Sequence, residues 1–427
     1  MTNPLLTAAD LPSYAAIQPE HVEPAIDHWL AKNRADLERL LAANAVYSWD
    51  NLLRPLEELE DRLNKAWSPV NHLHSVCDSE ALRAAYNACL PKLSAYYSEL
   101  GQHEGLYRAY QQIAEGPEYA RLDPAQCKVI SDALRDFRLS GIALPPDQQT
   151  RYRDIQQELA QLGAKFSENV LDATQAWTKH LTDEAQLAGL PDSARALARQ
   201  TAQQRGLDGW LLTLELPSYL PVLNYADDRD LRRELYSAYC TRASEQGPNG
   251  GQWDNGPVME RILALRHELA RLLGFHDYTE YSLATKMADS PDQVLDFLAD
   301  LARRARSQAQ RELDELRTFA REQFGADDLH AWDIGYYAEK LRQHRYQLSQ
   351  EELRPYFPLP RVLAGLFAVA ERLFGIAIRP LDGVEVWHPE VRVYEIVDAA
   401  GTRRGRFYLD LYARPHKRGG AWMDGGL

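Results

Sequence analysis

Apolar residues in this chain return at spacings of three and four over long stretches, so each stretch lays a stripe along an α-helix that must be buried against a neighbour. From Gln149 onward, Tyr152, Ile155, Leu159, Leu162, Phe166 and Val170 form one such stripe, predicting a long antiparallel helix in a bundle core. A second long helix is predicted from Ser290. Ser290 can cap the free N–H groups, Pro291 suits the first turn, and Gln293 completes a capping box. Val294, Leu298, Leu301, Ala305, Ala309, Leu313, Leu316 and Ala320 hold the spacing until Gly325 offers a left-handed stop. At 1.5 Å per residue this helix would run about 50 Å. That length points to the wall of an elongated molecule, and so to a groove or channel.

Two regions break the helical period. Between Gln246 and Pro257 the chain is rich in Gly, Asn and Pro and reads as an exposed loop; it lacks the GK[ST] ending of a phosphate cradle. Near the end the period moves toward two. Val384, Val386, Val391, Val393 and Ile396 alternate with polar neighbours, Ala399 to Gly401 turns the chain, and Arg406 to Tyr412 follows. Two or three short antiparallel strands are expected within 383–413. The fold class is therefore mainly α with a small antiparallel β segment, and no tandem repeat or low-complexity tract points to a solenoid or a disordered scaffold.

Composition excludes several function classes. The 427 residues suffice for two or three domains. A formal charge of −14 repels polyanions, so no nucleic-acid partner is expected. Cys77, Cys89, Cys127 and Cys240 are scattered and form no CxxC pair, as expected of reduced thiols. No uncharged apolar run reaches the ~18 residues of a membrane span. The first 31 residues hold no Lys or Arg and are broken by Pro4 and Pro12, unlike a secretory signal, so a cytoplasmic protein is expected.

Catalytic chemistry is nearly present at two places. A helix-borne zinc protease needs His-Glu-x-x-His, with two imidazoles on one helix face and the Glu as general base. His267-Glu268 has Arg271 where the second ligand belongs, and a guanidinium has no lone pair to give. His276 and Glu280 lie beyond it and read as a surface pair. His103-Glu104 fails at Tyr107 in the same way, and His72 and His74 point to different helix faces. No GxSxG elbow or catalytic-cysteine signature appears. No catalytic or metal residue is therefore assigned. A basic cluster, Arg414, Lys417 and Arg418 beside His416, stands out in an acidic chain; it could bind a peptide carboxylate or pair with acidic helices.

The run from Gly405 through Arg414, His416, Lys417 and Arg418 to Trp422 resembles the segment preceding the catalytic core of thimet-type zinc oligopeptidases. The segments Met1 to Leu6, Gly101 to Tyr107, Leu216 to Val222, Ser282 to Ala288, Trp332 to Tyr337 and Leu353 to Pro358 resemble the same family, and the likeness spans residues 1 to 424 in order. The resemblance implies an elongated helical metallopeptidase fold with a deep channel, one zinc ion per complete chain, and cytoplasmic cleavage of internal bonds in short peptides. It also implies a helical domain over 1–200 and the opening portion of a catalytic domain over 201–427. In relatives the zinc helix comes after the segment matching Ala421 to Asp424, so no zinc is expected at a native site here and the chain reads as an inactive N-terminal portion. A non-catalytic peptide-binding or interaction module is the alternative. A separate enzyme built on His267, Glu268 and the basic tail is the third reading, and nothing completes its site.

Overall fold

Residues 3–7 and 10–425 are described by a computed structural model; Met1, Thr2, Gly426 and Leu427, where the first resembling segment begins and the chain ends, lie outside them. Fifteen α-helices are present among the described residues. The chain opens with α1 (Pro19–Ala43), α2 (Arg54–Val76), α3 (Glu80–Gly101), α4 (Glu104–Glu115), α5 (Pro124–Leu139) and the long α6 (Pro146–Ala176). Strand β1 (Thr178–Leu181), α7 (Asp192–Gln204) and β2 (Trp210–Thr213) follow, then α8 (Leu216–Tyr225) and α9 (Arg229–Thr241). After the Gly-rich loop come α10 (Gly256–Leu272), α11 (Tyr278–Leu283), α12 (Pro291–Phe324), α13 (Ala331–Tyr346), α14 (Gln350–Leu353) and α15 (Leu359–Phe374). Strands β3 (Ile376–Pro380), β4 (Arg392–Asp398) and β5 (Arg403–Leu409) complete the order. The fold is mainly α, as the periodicity requires.

Helix starts follow local chemistry. Asp123 and Gln126 cap α5 reciprocally, each side chain taking the other's backbone N–H at 2.8 and 3.0 Å, with Pro124 in the first turn. Asp228 Oδ1 accepts from the N–H groups of Asp230 and Leu231 at the head of α9. Gly325, with φ at +65°, ends α12 in the left-handed conformation predicted for it.

The helices divide between two compact units, each drawn from separate stretches of chain: Met1–Glu168, Gly256–Pro291 and His416–Leu427 in the first, Asn169–Asn255 and Asp292–Pro415 in the second. In the first unit, Leu106, Ala109 and Ile113 of α4 pack with Ile130 and Phe137 of α5. Tyr152 and Ile155 of α6 meet Leu265 and Leu269 of α10. The predicted stripe on α6 thus holds over its first turns. Farther on it fails: Phe166 is exposed, and the buried positions become Glu168, Asn169 and Ala173.

In the second unit, β1 and β2 pair antiparallel and share a core with α7, α8 and α9. The three-stranded sheet has order β3-β4-β5, antiparallel throughout. Its first strand precedes the expected segment. Val384 and Val386 lie in the connection 381–391 instead, because alternation alone supplies no ladder partner and Gly383 (φ +76°) and Pro389 interrupt one. The turn at Ala399 to Gly401 is as read: Asp398 Oδ1 accepts from Ala400 and Thr402, and Gly401 takes φ +83°. Phe367 of α15 rests on this sheet, its ring centroid 4.9 Å from Tyr394 and 6.1 Å from Phe407. Of the α12 stripe only the C-terminal part is buried, where Leu316 and Ala320 pack on Tyr336 and Tyr337 of α13.

Candidate functional site

The histidine near misses have structural work. Glu268 is held in a two-pronged ion pair by Arg151 of α6, at 2.6 and 2.7 Å, and this hydrogen bonding holds its carboxyl below the ordinary range. His103 caps α4 by accepting from Leu106 N–H at 3.0 Å, while its other ring nitrogen lies 3.1 Å from Glu38. Glu280 accepts from the backbone N–H of His276 at 2.9 Å on an exposed flank. Among the described residues no group of three His, Cys, Asp or Glu side chains is disposed to hold a metal ion.

The basic cluster falls on both units. Arg414 belongs to the second, where it forks onto Asp410 at 2.6 and 2.8 Å. Lys417 and Arg418 belong to the first; Lys417 is buried, and the Arg418 guanidinium lies 5.8 Å over the Trp422 ring. Residues 416–425 run along the second half of α2. His416 O accepts from Asp78 N–H at 3.0 Å, Ser75 O accepts from Arg418 N–H at 2.8 Å, Asp424 lies 3.5 Å from His72 Nδ1, and Gly425 O accepts from Ser68 at 2.9 Å.

Beneath that segment lies a charged cluster that no local sequence pattern announces. Glu168 and Asp78 are both buried. Glu168 Oε1 accepts from Asn87 at 2.8 Å and lies 3.7 Å from His74 Nε2, and Asp78 pairs with Arg83. His74 stacks on Tyr86 with ring centroids 4.1 Å apart. Burial works to raise the Glu168 carboxyl, but the nearby His74 ring, the hydrogen bond from Asn87 and the charge of Arg83 outweigh it and hold the group below its usual value. A depressed carboxylate stabilises the fold above its unfolded pKa, near ~4.3, and that stability is lost as pH falls through the folded value. Glu168→Gln is therefore expected to lower the urea midpoint at pH 7, with the gap from the parent closing as pH drops below ~4.3. A gap independent of pH would refute the assignment.

Beside this cluster the first unit carries a cavity of about 480 Å³ lined by Trp67, Leu93, Tyr97, Gln156, Leu159, Ile262, Arg266 and Tyr278, among others. The Arg266 guanidinium sits 4.8 Å over the Tyr278 ring. The Tyr97 hydroxyl donates to Glu60 at 3.1 Å, and burial pushes its pKa up. Such walls can take an apolar or aromatic side chain, with a cation placed to meet a carboxylate. These residues come from five helices, so no spacing in the sequence could have gathered them.

Comparison with known proteins adds to this geometry. Residues 26–149 match the model of the neurolysin/thimet oligopeptidase N-terminal domain, and residues 222–427 match that of peptidase family M3. The chain is 57% identical over 424 residues to oligopeptidase A of Salmonella typhimurium and 56% identical to that of Escherichia coli, covering 99% of this chain and 62% of each relative. A probable cytosolic oligopeptidase A of Arabidopsis thaliana is 41% identical over 434 residues, covering 99% of this chain and 61% of that protein. The chain thus spans less than two thirds of the length of the curated relatives it matches.

Proposed function

This chain belongs to peptidase family M3, and from that premise we propose that its residues form the helical framework of a zinc oligopeptidase that cleaves internal bonds of short peptides in the cytoplasm. The observation that carries the reading is 57% identity over 99% of the chain to an oligopeptidase A. No helix among the described residues is long and apolar enough to cross a membrane, and a net charge of −14 opposes nucleic acid as a partner. We place the change from the N-terminal helical domain, 1–200, to the opening of the catalytic domain, 201–427, in the interval between the two matched ranges, 26–149 and 222–427.

The family's zinc does not fit the side chains of the described residues. The nearest approach to His-Glu-x-x-His, at His267 and Glu268, has Glu268 occupied by Arg151, and His103 is committed to capping a helix. Zinc activates water for peptide hydrolysis when three protein ligands hold it, and no step of that chemistry is assigned to residues of this chain. Purified 1–427 is expected to bind zinc well below one equivalent after dialysis and to leave an internally quenched peptide of about ten residues uncut. Zinc-dependent cleavage that a chelator abolishes would overturn the framework reading.

A further inference from the structure

We propose that the exposed apolar faces of α15 and of the N-terminal half of α12 are docking surfaces for the part of the M3 polypeptide that the relatives possess and this chain does not match. Helix α15 already buries one face: Leu363 is buried and Phe367 lies on the sheet. About a quarter turn around the helix, at 3.6 residues per turn, a second stripe of Val362, Leu366, Val369 and Leu373 stays exposed, Leu366 at 58% and Leu373 at 70%. Together the two stripes make α15 apolar over roughly 160° of its circumference at ~100° per residue, wider than the ~100° stripe of a surface helix, and such a helix is built to be covered on more than one side. The same logic holds at the start of α12. Leu298 and Leu301 remain exposed, at 52% and 49%, on the helical spacing that buries Leu316 and Ala320 farther along, and Phe297 beside them is 63% exposed. Contiguous exposed apolar surface of this kind marks an interaction site.

Two observations select the occupant. Both helices lie inside the range 222–427 that matches the peptidase family, and more than a third of each bacterial relative's length is unmatched by this chain. The flank of α12 also argues against a lipid surface, because it is not the cationic rim of a membrane-seated helix: Asp300 pairs with Arg303 at 3.1 Å and Arg304 at 2.6 Å.

This inference rests on family membership and not on catalysis, so its test reads binding. The full 427-residue chain is co-expressed with the unmatched portion of the Salmonella typhimurium relative as a separate polypeptide, so that both fold together, and sedimentation velocity follows the complex. A one-to-one complex is expected. The pairs Leu366→Asp with Leu373→Asp, and Phe297→Asp with Leu301→Asp, should each weaken it at least tenfold, while Met287→Asp in the first unit, 99% exposed, changes affinity less than twofold. Each variant alone should keep the parent's circular dichroism melt, since the replaced side chains face solvent. Absence of a complex, or one insensitive to both pairs, would overturn the proposal. So would a dimer of the 427-residue chain that the same variants dissociate, which would make a second copy the occupant. Peptide cleavage is assayed separately on the complex: association without hydrolysis sinks the functional reading and leaves the docking surface supported.

Discussion

Replacing Asp333 with alanine is expected to destabilise the second unit by about 3–5 kcal/mol, the cost of leaving one partner of a buried ion pair uncompensated. Asp333 is 0% exposed and Arg232 2% exposed. One carboxylate oxygen accepts from Arg232 Nη2 at 2.8 Å; the other accepts from Arg229 Nη2 at 2.7 Å and from the His330 N–H at 3.0 Å. Arg232 cannot reach water to recover its solvation. Its Nη1 donates to the carbonyl of Ala226 at 2.6 Å, and its guanidinium lies 4.1 Å over the Tyr336 ring. Arg229→Ala should cost far less, about 1 kcal/mol, because Arg229 is half exposed and Asp333 keeps Arg232 when it is gone. Urea unfolding, with hydrogen exchange at the amides of α9 and α13 as the local readout, checks both. Comparable losses from the two variants would show that burial does not set the energetics here. Burial works to raise Asp333, but the two guanidinium hydrogen bonds keep its carboxyl below the usual range, so its stabilisation is present at neutral pH and is lost as pH falls through its folded pKa.

That network also shows where sequence reading stops. Arg229 and Asp333 are 104 positions apart, and nothing local marks either as buried. The helices themselves were legible, since a 3.6-residue period is a local property: α6, α12 and the left-handed stop at Gly325 all stand where the spacing placed them. Which part of a stripe finds a partner is not local. The α12 stripe is uniform in sequence yet buried only near Leu316 and Ala320, and on α6 the buried face turns from apolar residues to Glu168 and Asn169. The four-residue strands β1 and β2 are too short to show a period and pair across α7. At the tail, Arg414 with Asp410 is the local charge pairing a sequence can suggest, whereas the burial of Lys417 could not have been read. The cavity walls and the Glu168 cluster were unreadable for the same reason, being assembled from helices far apart in the chain.

A second substitution tests how a piece of the peptidase-matched range is seated in the first unit. Helix α10 lies within the peptidase-matched range, yet Gly256–Pro291 packs in the first unit with the helices of the N-terminal domain match. The join runs through Leu265, which is 0% exposed and clusters with Tyr152, Ile155 and Leu269. Two positions earlier, Leu263 is 65% exposed, because two residues rotate a helix by about 200°. Leu265→Ala should therefore cost about 2–5 kcal/mol, from lost transfer energy and an unfilled cavity, while Leu263→Ala stays within about 0.5 kcal/mol of the parent. The same residue type, on the same helix, separates burial from composition. Equal effects on the urea midpoint would mean that α10 is not seated in this register. The predicted inequality would mean that a piece of the peptidase-matched range is held in the first unit by a hydrophobic core shared with residues of α6 that follow the N-terminal domain match. The 480 Å³ cavity borders this seam, through Gln156 and Leu159 on one side and Ile262 and Arg266 on the other. Leu265 thus helps to seat two of that cavity's walls, α6 and α10.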